Sequence, residues 1–175
     1  MTTAGPVRTL AVWCAQWSAV AVGRPAGVPV AVLHAERVVA VNPTAQRQGV
    51  AVGLRRREAQ ARCPSVELHD RDVQRDARAF EVVLGAVEEL APRIEVVEPG
   101  RCAVVTRGPS RYHGGDRALA ELVRDRVRAA LAEHVGEGRV PCPVGVGIAD
   151  GPRAAAIAAE ESVTPGRGAR TTAGP

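Results

Sequence analysis

Apolar residues are distributed along this chain in two patterns, and each pattern predicts one kind of element. Spacings of three and four residues predict long helices over 73–91 and 116–131, and runs of helix-forming residues predict shorter ones over 54–62 and 152–161. Pro64 and Pro92 stand where two of these patterns stop, as expected from a residue that disfavours helix before it. Short runs rich in Val, Ala and Leu predict β-strands at 7–13, 28–33, 37–41, 66–69, 94–97, 102–106 and 144–148.

The connections between these strands indicate hairpins more often than regular βαβ units. His34-Ala35-Glu36 and Pro99-Gly100 each separate two β-prone runs, as turn residues do. We therefore expect an α+β fold, with an antiparallel sheet covered by helices on one face and a small inserted subdomain. Residues 164–175 have no apolar period, which predicts a disordered tail.

Composition and charge narrow the class of protein only modestly. The 175 residues suit one domain, or one domain with a subdomain, and only 2% are aromatic. All 23 basic residues are arginine, and the net charge of +4 permits an anionic partner without requiring one. The four cysteines lack the paired spacing of a zinc site. The N-terminus lacks an export signal, and no apolar run reaches the roughly 20 residues of a membrane span, so we expect a cytoplasmic protein.

Four segments, taken in order, resemble the palm and fingers of Y-family, UmuC-like translesion DNA polymerases. The segment 37–64 is similar to the fingers, and Ala91-Pro-Arg-Ile-Glu95 is similar to the approach to the central palm motif. Gly114-Gly-Asp116 and the segment 144–158 resemble the palm helix and the late strand and helix. The resemblance implies a palm formed by 1–20 and 77–163 and fingers formed by 21–76. It stops before a thumb and a little finger, so we expect a truncated form of the family.

The same resemblance locates three metal-binding carboxylates that a family polymerase needs. They would hold two divalent ions that activate the attacking hydroxyl and neutralise charge on the transferred phosphorus. The matching positions here are Trp13, Gly100 and Arg101, none of which can ligate magnesium. No catalytic residue, metal or cofactor is therefore expected.

The nucleotide-binding positions of the family have changed as well. Pro43 and Gln46 stand where its fingers carry a Tyr and an Arg, and Pro152 and Ala156 replace lysines of its late helix. This combination resembles the catalytically inactive, ImuB-type mutasome subunit of actinobacteria. It implies an adaptor, or a DNA- or partner-binding module, in DNA repair and damage-induced mutagenesis. An error-prone polymerase, a recombinase-like subunit and a sliding clamp are the implied partners.

Three alternatives stay open. The chain could be an active nucleotidyltransferase with relocated metal ligands, but Glu95 and Glu98 are three residues apart on a strand, which predicts opposite faces. It could also be a truncated, non-functional relic. The third alternative is a weak DNA-binding domain, whose candidate phosphate contacts are the clustered arginines, unless these form only a solvated helix face. The candidates are Arg47, Arg55, Arg56, Arg57 and Arg62.

A few further motifs carry weaker expectations. Tyr112-His113 could be a base-stacking pair, although local packing is the more usual explanation for one aromatic in a loop. Gly145-Val-Gly147 after a strand is a poor match to a dinucleotide fingerprint, since its third glycine comes one residue late. Trp13 and Trp17 are expected to fill the core, and Asp116 to cap the helix that follows it.

Overall fold

A computed structural model describes residues 7–135 and 142–163, and the tail predicted for 164–175 lies outside these residues. The described residues divide into two compact units. The first unit contains residues 7–15, 81–131 and 143–163, and the second contains 16–80, 132–135 and 142. The strands are β1 Arg8–Cys14, β2 Val30–His34, β3 Arg37–Val41, β4 Glu67–Asp70, β5 Ile94–Glu98, β6 Arg101–Val105 and β7 Val144–Asp150. The helices are α1 Trp17–Ala21, α2 Pro43–Arg47, α3 Arg56–Arg62, α4 Val73–Glu88, α5 Arg107–Tyr112, α6 Asp116–Val135 and α7 Pro152–Val163.

The first unit is built on a four-stranded antiparallel sheet in the order β5-β6-β1-β7. Central β1 is apolar on both faces and buried along most of its length, as expected for a strand with a neighbour on each side. One face of the sheet carries fully buried Leu10, Val12 and Ile148. The mixed helices and antiparallel sheet confirm the predicted α+β fold class.

Helix α7 packs on the other face of this sheet, and two glycines allow it to come close. A Cβ at Gly145 would overlap the carbonyl oxygen of Ala159, and one at Gly147 would overlap the backbone of the same turn of α7. Ala11, Ala149 and Ala159 form a small apolar cluster between the helix and the sheet. Gly145 and Gly147 therefore allow the close packing of α7 on the sheet. This role accounts for both glycines without a dinucleotide-binding motif.

The second unit has a three-stranded sheet in the order β3-β2-β4. Strands β2 and β3 form the predicted hairpin, whose two turn residues Ala35 and Glu36 both have positive φ, as type I′ turns require. Strand β4 pairs with β2 in parallel, an arrangement that the hairpin pattern did not predict. Buried Asn42 joins β2 to α2, because its side-chain oxygen accepts hydrogen bonds from the backbone N–H groups of Val30 and Ala45.

A tryptophan anchors the start of the second unit. Trp17 is buried, its ring meets Phe80 edge-on at a centroid distance of 5.3 Å, and its indole N–H donates to the backbone oxygen of Asp76. The carboxylate of Asp76, which is also buried, accepts hydrogen bonds from Ser18 and from Arg75. The core-filling role predicted for Trp17 is confirmed.

No helix in 7–135 or 142–163 combines the length and the apolar character of a membrane span.

Candidate functional site: the position of the metal ligands

The three positions predicted to have lost metal ligands lie together in the first unit. Trp13 stands near the end of β1, directly opposite Arg101 on β6. Buried Gly100 occupies the β5–β6 turn with a φ of 96°, and its carbonyl oxygen accepts a hydrogen bond of 2.8 Å from the N–H of Cys14. The antiparallel pairing of β1 and β6 thus brings Trp13 close to Gly100, although the two residues are 87 positions apart in the sequence.

Arg101 is the centre of this site. Its guanidinium carbon lies 5.7 Å from the ring centroid of Trp13, within the range of a cation–π contact. Its Nε is 3.1 Å from Oε1 of Glu98, and its Nη1 is 2.7 Å from Oε1 of Glu160 on α7. One arginine side chain therefore links β5, β1 and α7 at the place where the resemblance predicts metal ions.

A small cavity of about 70 Å³ adjoins this arginine. Arg101 is the only charged residue among those that line it. Cys102 lines the cavity, and burial raises the pKa of its thiol to about 12. The lining residues are Ala11, Val12, Trp13, Val97, Arg101, Cys102, Ala103, Pro152, Ala156 and Ala159.

This donor set does not fit a magnesium ion. Magnesium requires hard oxygen ligands in near-octahedral geometry, whereas the three positions supply an indole, no side chain and a guanidinium. Within 7–135 and 142–163, no group of three or more His, Cys, Asp or Glu side chains is arranged to hold a metal ion. The lining of this site is apolar and aromatic apart from Arg101, and it offers no oxygen cage for a cation.

The expectation that Glu95 and Glu98 point to opposite faces is wrong. A bulge between Val96 and Glu98 adds one residue to β5, so that Glu95 faces Ala103 and Glu98 faces Arg101. Ala103 and Arg101 are two residues apart on β6 and share a face, and their partners therefore share it too. Glu98 uses this position to form an ion pair with Arg101.

The two positions compared with nucleotide contacts lie on the short helix α2 of the second unit. Pro43 is its first residue, where a proline fits because no helical donor is needed, and Asn42 caps it. Gln46 is exposed one turn later. Neither side chain carries the positive charge that a triphosphate contact would use.

The arginine cluster also lies in the second unit, but only some of its guanidinium groups form ion pairs or hydrogen bonds within the described residues. Arg56 is paired with Glu36 at 2.9 Å and with Asp70 at 3.6 Å. Arg62 donates to the backbone oxygen of Gly49, and Arg47 donates to the Thr44 hydroxyl. Exposed Arg55 and Arg57 form no ion pair with the part of the chain that the structure describes. Arg55 is the N-cap residue of α3, and Arg56 and Arg57 are its first two residues, so the three side chains do not share one helix face.

Two contacts of Arg101 could not be predicted from the sequence. The contact between Trp13 and Arg101 was detectable only through the strand register, and the contact of Arg101 with Glu160 joins residues 59 positions apart. The sequence shows a glutamate, Glu160, in the predicted late helix, but it does not show that this side chain points towards Arg101.

Comparisons with known proteins place this geometry in context. Residues 14–160 match the model of the family described as "IMS: impB/mucB/samB family". No curated protein matches the chain. A Dbh ternary complex superimposes with a TM-score of 0.69 at 19% identity, over 89% of this chain and 45% of that one. DinB from Sulfolobus solfataricus superimposes with a TM-score of 0.61 at 20% identity, over 88% and 45%. The chain thus spans about half the length of these structures, and the likeness concerns the fold.

Proposed function

Because the chain belongs to the impB/mucB/samB family, the Y-family polymerases, we propose that it is a non-catalytic, polymerase-like module in DNA repair and damage-induced mutagenesis. It acts by binding DNA or a protein partner and does not transfer nucleotides. In this proposal the first unit corresponds to the palm and the second to the fingers. The ImuB-type mutasome subunit is the member of the family that it resembles in function.

One observation carries the proposal. At the position of the metal pair, the guanidinium of Arg101 lies against Trp13 and is held by Glu98 and Glu160. A cationic side chain with two carboxylate partners opposes the entry of a divalent cation, and it removes both carboxylates from metal ligation. Two-metal phosphoryl transfer has no ligand set there. The loss of positive charge at Pro43 and Gln46 supports the same conclusion for the nucleotide.

Primer extension tests this proposal. Purified protein, a primed template and all four deoxynucleotides, with magnesium or with manganese, should give no product above the background of a blank purification. The double variant Glu98→Gln with Glu160→Gln serves as a matched control. Incorporation by the natural protein that disappears in this variant would contradict the proposal and support relocated metal ligands. Incorporation of equal rate in both proteins would identify a contaminating polymerase.

The active-enzyme alternative has one specific observation in its favour. Glu95 and Glu98 lie on the same face of β5, and Glu160 reaches the same arginine from α7. Isothermal titration with a deoxynucleoside triphosphate and magnesium separates the two functions, because an enzyme with relocated ligands requires tight binding that depends on the metal. We expect no heat of binding beyond dilution.

DNA binding by the second unit is a second candidate function. Two solved structures that resemble the chain are described as ternary complexes of a Dbh polymerase, and their likeness to this chain motivates the test. If Arg47, Arg55, Arg57 and Arg62 contact phosphates, affinity for a duplex falls steeply with salt. Replacing Arg55 and Arg57 by Ala then weakens binding and reduces the salt dependence. Arg56→Ala is the matched control, because its charge is already paired with Glu36.

The partner proteins follow from the resemblance alone. We propose an error-prone polymerase, a recombinase-like subunit and a sliding clamp as the candidates. Purified candidates can be tested singly by size-exclusion chromatography with this chain. A stable complex with one of them supports an adaptor, whereas failure with all three, together with no DNA binding, favours a relic without function.

A further inference from the structure

The single tyrosine of the chain is exposed to solvent. Tyr112 ends α5, and 85% of its surface is accessible, so the expectation of local packing is wrong for its ring. Its only ring contact among the described residues is with His113, edge-on at a centroid distance of 4.8 Å. The imidazole Nε2 of His113 lies 3.3 Å from the carbonyl oxygen of Leu90, which fixes the histidine against the end of α4. Tyrosine is enriched at protein interfaces and among the residues that contribute most to binding.

Tyr112 borders an open groove of about 320 Å³ in the first unit, here called the Tyr112 groove. Its volume is at the small end of the roughly 300–1,000 Å³ that ligand pockets span. Two prolines and Leu90 give it apolar walls, and such walls provide no hydrogen bonds for the edge of a base. The lining residues are Glu89, Leu90, Pro92, Gly108, Pro109, Tyr112 and His113.

The one acidic group in the groove is already neutralised. Arg126 donates two hydrogen bonds to the carboxylate of Glu89, at 2.6 and 2.7 Å. These bonds lower the pKa of Glu89, so the carboxylate is ionised and its charge is matched by the guanidinium. An acidic ligand therefore meets little net repulsion from Glu89.

Three exposed arginines without an ion-pair partner in 7–135 and 142–163 directly flank groove residues in the sequence. Arg93, Arg107 and Arg111 each lie within one residue of a groove residue and are exposed. None of the three forms an ion pair within residues 7–135 and 142–163. An apolar groove with an aromatic anchor, whose lining residues are flanked in the sequence by unpaired arginines, is complementary to an acidic segment that carries one apolar side chain.

We propose that the Tyr112 groove docks an acidic, extended segment of a protein partner, which inserts one apolar or aromatic side chain between Tyr112 and the prolines. The segment's carboxylates face Arg93, Arg107 and Arg111. Single-stranded DNA is less suited to this surface, because one edge-packed aromatic provides no series of stacking platforms and the walls offer no polar readout. The proposal rests on the partner-binding role above, but it does not depend on whether the metal site is inactive.

A displayed library of random twelve-residue peptides tests the proposal even while the partner is unidentified. Selection uses the full chain, with counter-selection against the Tyr112→Ala variant. We expect enriched peptides that combine one Leu, Ile, Phe or Trp with flanking Asp and Glu. Their affinity should fall at least tenfold with Tyr112→Ala and with Arg111→Glu, and should be retained with Tyr112→Phe.

Arg153→Glu is the matched control, because it makes the same charge change at an exposed arginine on α7. Circular dichroism and the unfolding temperature of each variant show that a loss of binding is not a loss of fold. No enrichment, peptides without acidic residues, or equal binding to Arg111→Glu would overturn the proposal. Tighter binding of a twelve-nucleotide oligo(dT) that displaces the peptides would overturn it in favour of DNA. The primer-extension result is independent of all these outcomes.

Discussion

Trp13 and Arg101 face each other across β1 and β6, with the guanidinium carbon 5.7 Å from the centroid of the indole ring. The pair stands at two of the three positions where the resemblance to Y-family polymerases predicts metal-binding carboxylates. A bulge places Glu98 in reach of the same arginine, and α7 adds Glu160. One internal cation therefore contacts an indole ring and two carboxylates at this site.

Removing Arg101 should destabilise the first unit by a modest amount. We expect Arg101→Ala to lower the free energy of unfolding by about 1–2 kcal/mol, because it removes one cation–π contact and two half-exposed ion pairs. Urea unfolding of Arg101→Ala, Trp13→Ala and the double variant gives the coupling between the two side chains, expected near ~0.5–1 kcal/mol. Arg153→Ala is the control. Additive effects of the two single variants would show that the contact contributes nothing.

The glycines of β7 should tolerate no side chain. Gly145→Ala or Gly147→Ala forces a methyl group into the backbone of α7, and we expect a loss of about 3 kcal/mol or more, because backbone atoms cannot rotate away. Gly85→Ala is the matched control within α4, where an added Cβ meets no neighbour. It should raise stability by about 0.5–1 kcal/mol through helix propensity. Chemical unfolding measures all three, and a neutral Gly145→Ala would contradict the observed approach of α7.

Asp116 should make the first unit sensitive to acid. Partial burial opposes its ionisation, but hydrogen bonds from Ser110 and from Arg8 at 2.7 Å outweigh it and lower the pKa of the carboxyl. A depressed folded pKa gives stability that is present above the unfolded value of about 3.9 and is lost as the pH falls through the folded pKa. The contribution is at most ~1 kcal/mol for this partly exposed pair.

The measurement is the unfolding midpoint between pH 7 and pH 3, for the natural protein and for Asp116→Asn. The difference between the two proteins should be largest at neutral pH and should shrink as acid protonates the natural carboxyl. A constant difference over this range would contradict an ionic role for Asp116.

The cysteines should differ sharply in reactivity towards a thiol reagent at pH 8. Burial raises the pKa of Cys102 to about 12, so almost none of it is thiolate, and Cys14 and Cys63 are buried too. Cys142 is only partly buried and should react first. We expect one fast thiol in native protein that disappears in Cys142→Ser, and four after unfolding. Rapid modification of Cys102 in the native state would show that the cavity beside it opens.

Much of the architecture could be predicted because long helices and buried strands carry strong periodic signals. Helices α4 and α6, the β2–β3 hairpin and the strands around the Pro99-Gly100 turn occur where the patterns predicted them. Helices α1, α2 and α5 were not predicted, since five or six residues are too few to display a period of 3.6. The cap predicted at Asp116 is wrong by one position: Asp116 is the first residue of α6, and its carboxylate accepts hydrogen bonds from Arg8 and Ser110.

Residue identity at fixed spacing was enough to recognise the family and to predict changed ligand positions, because no fold can turn Trp13, Gly100 and Arg101 into carboxylates. The contacts that these residues form instead depend on strand register and helix packing, which became visible only in the folded chain. A one-residue bulge in β5 reversed the predicted direction of Glu98, and the packing of α7 brought Glu160 to Arg101. The folded chain also leaves Tyr112 exposed to solvent beside an apolar groove. Side-chain direction and long-range proximity depend on register and packing, which local sequence patterns do not encode.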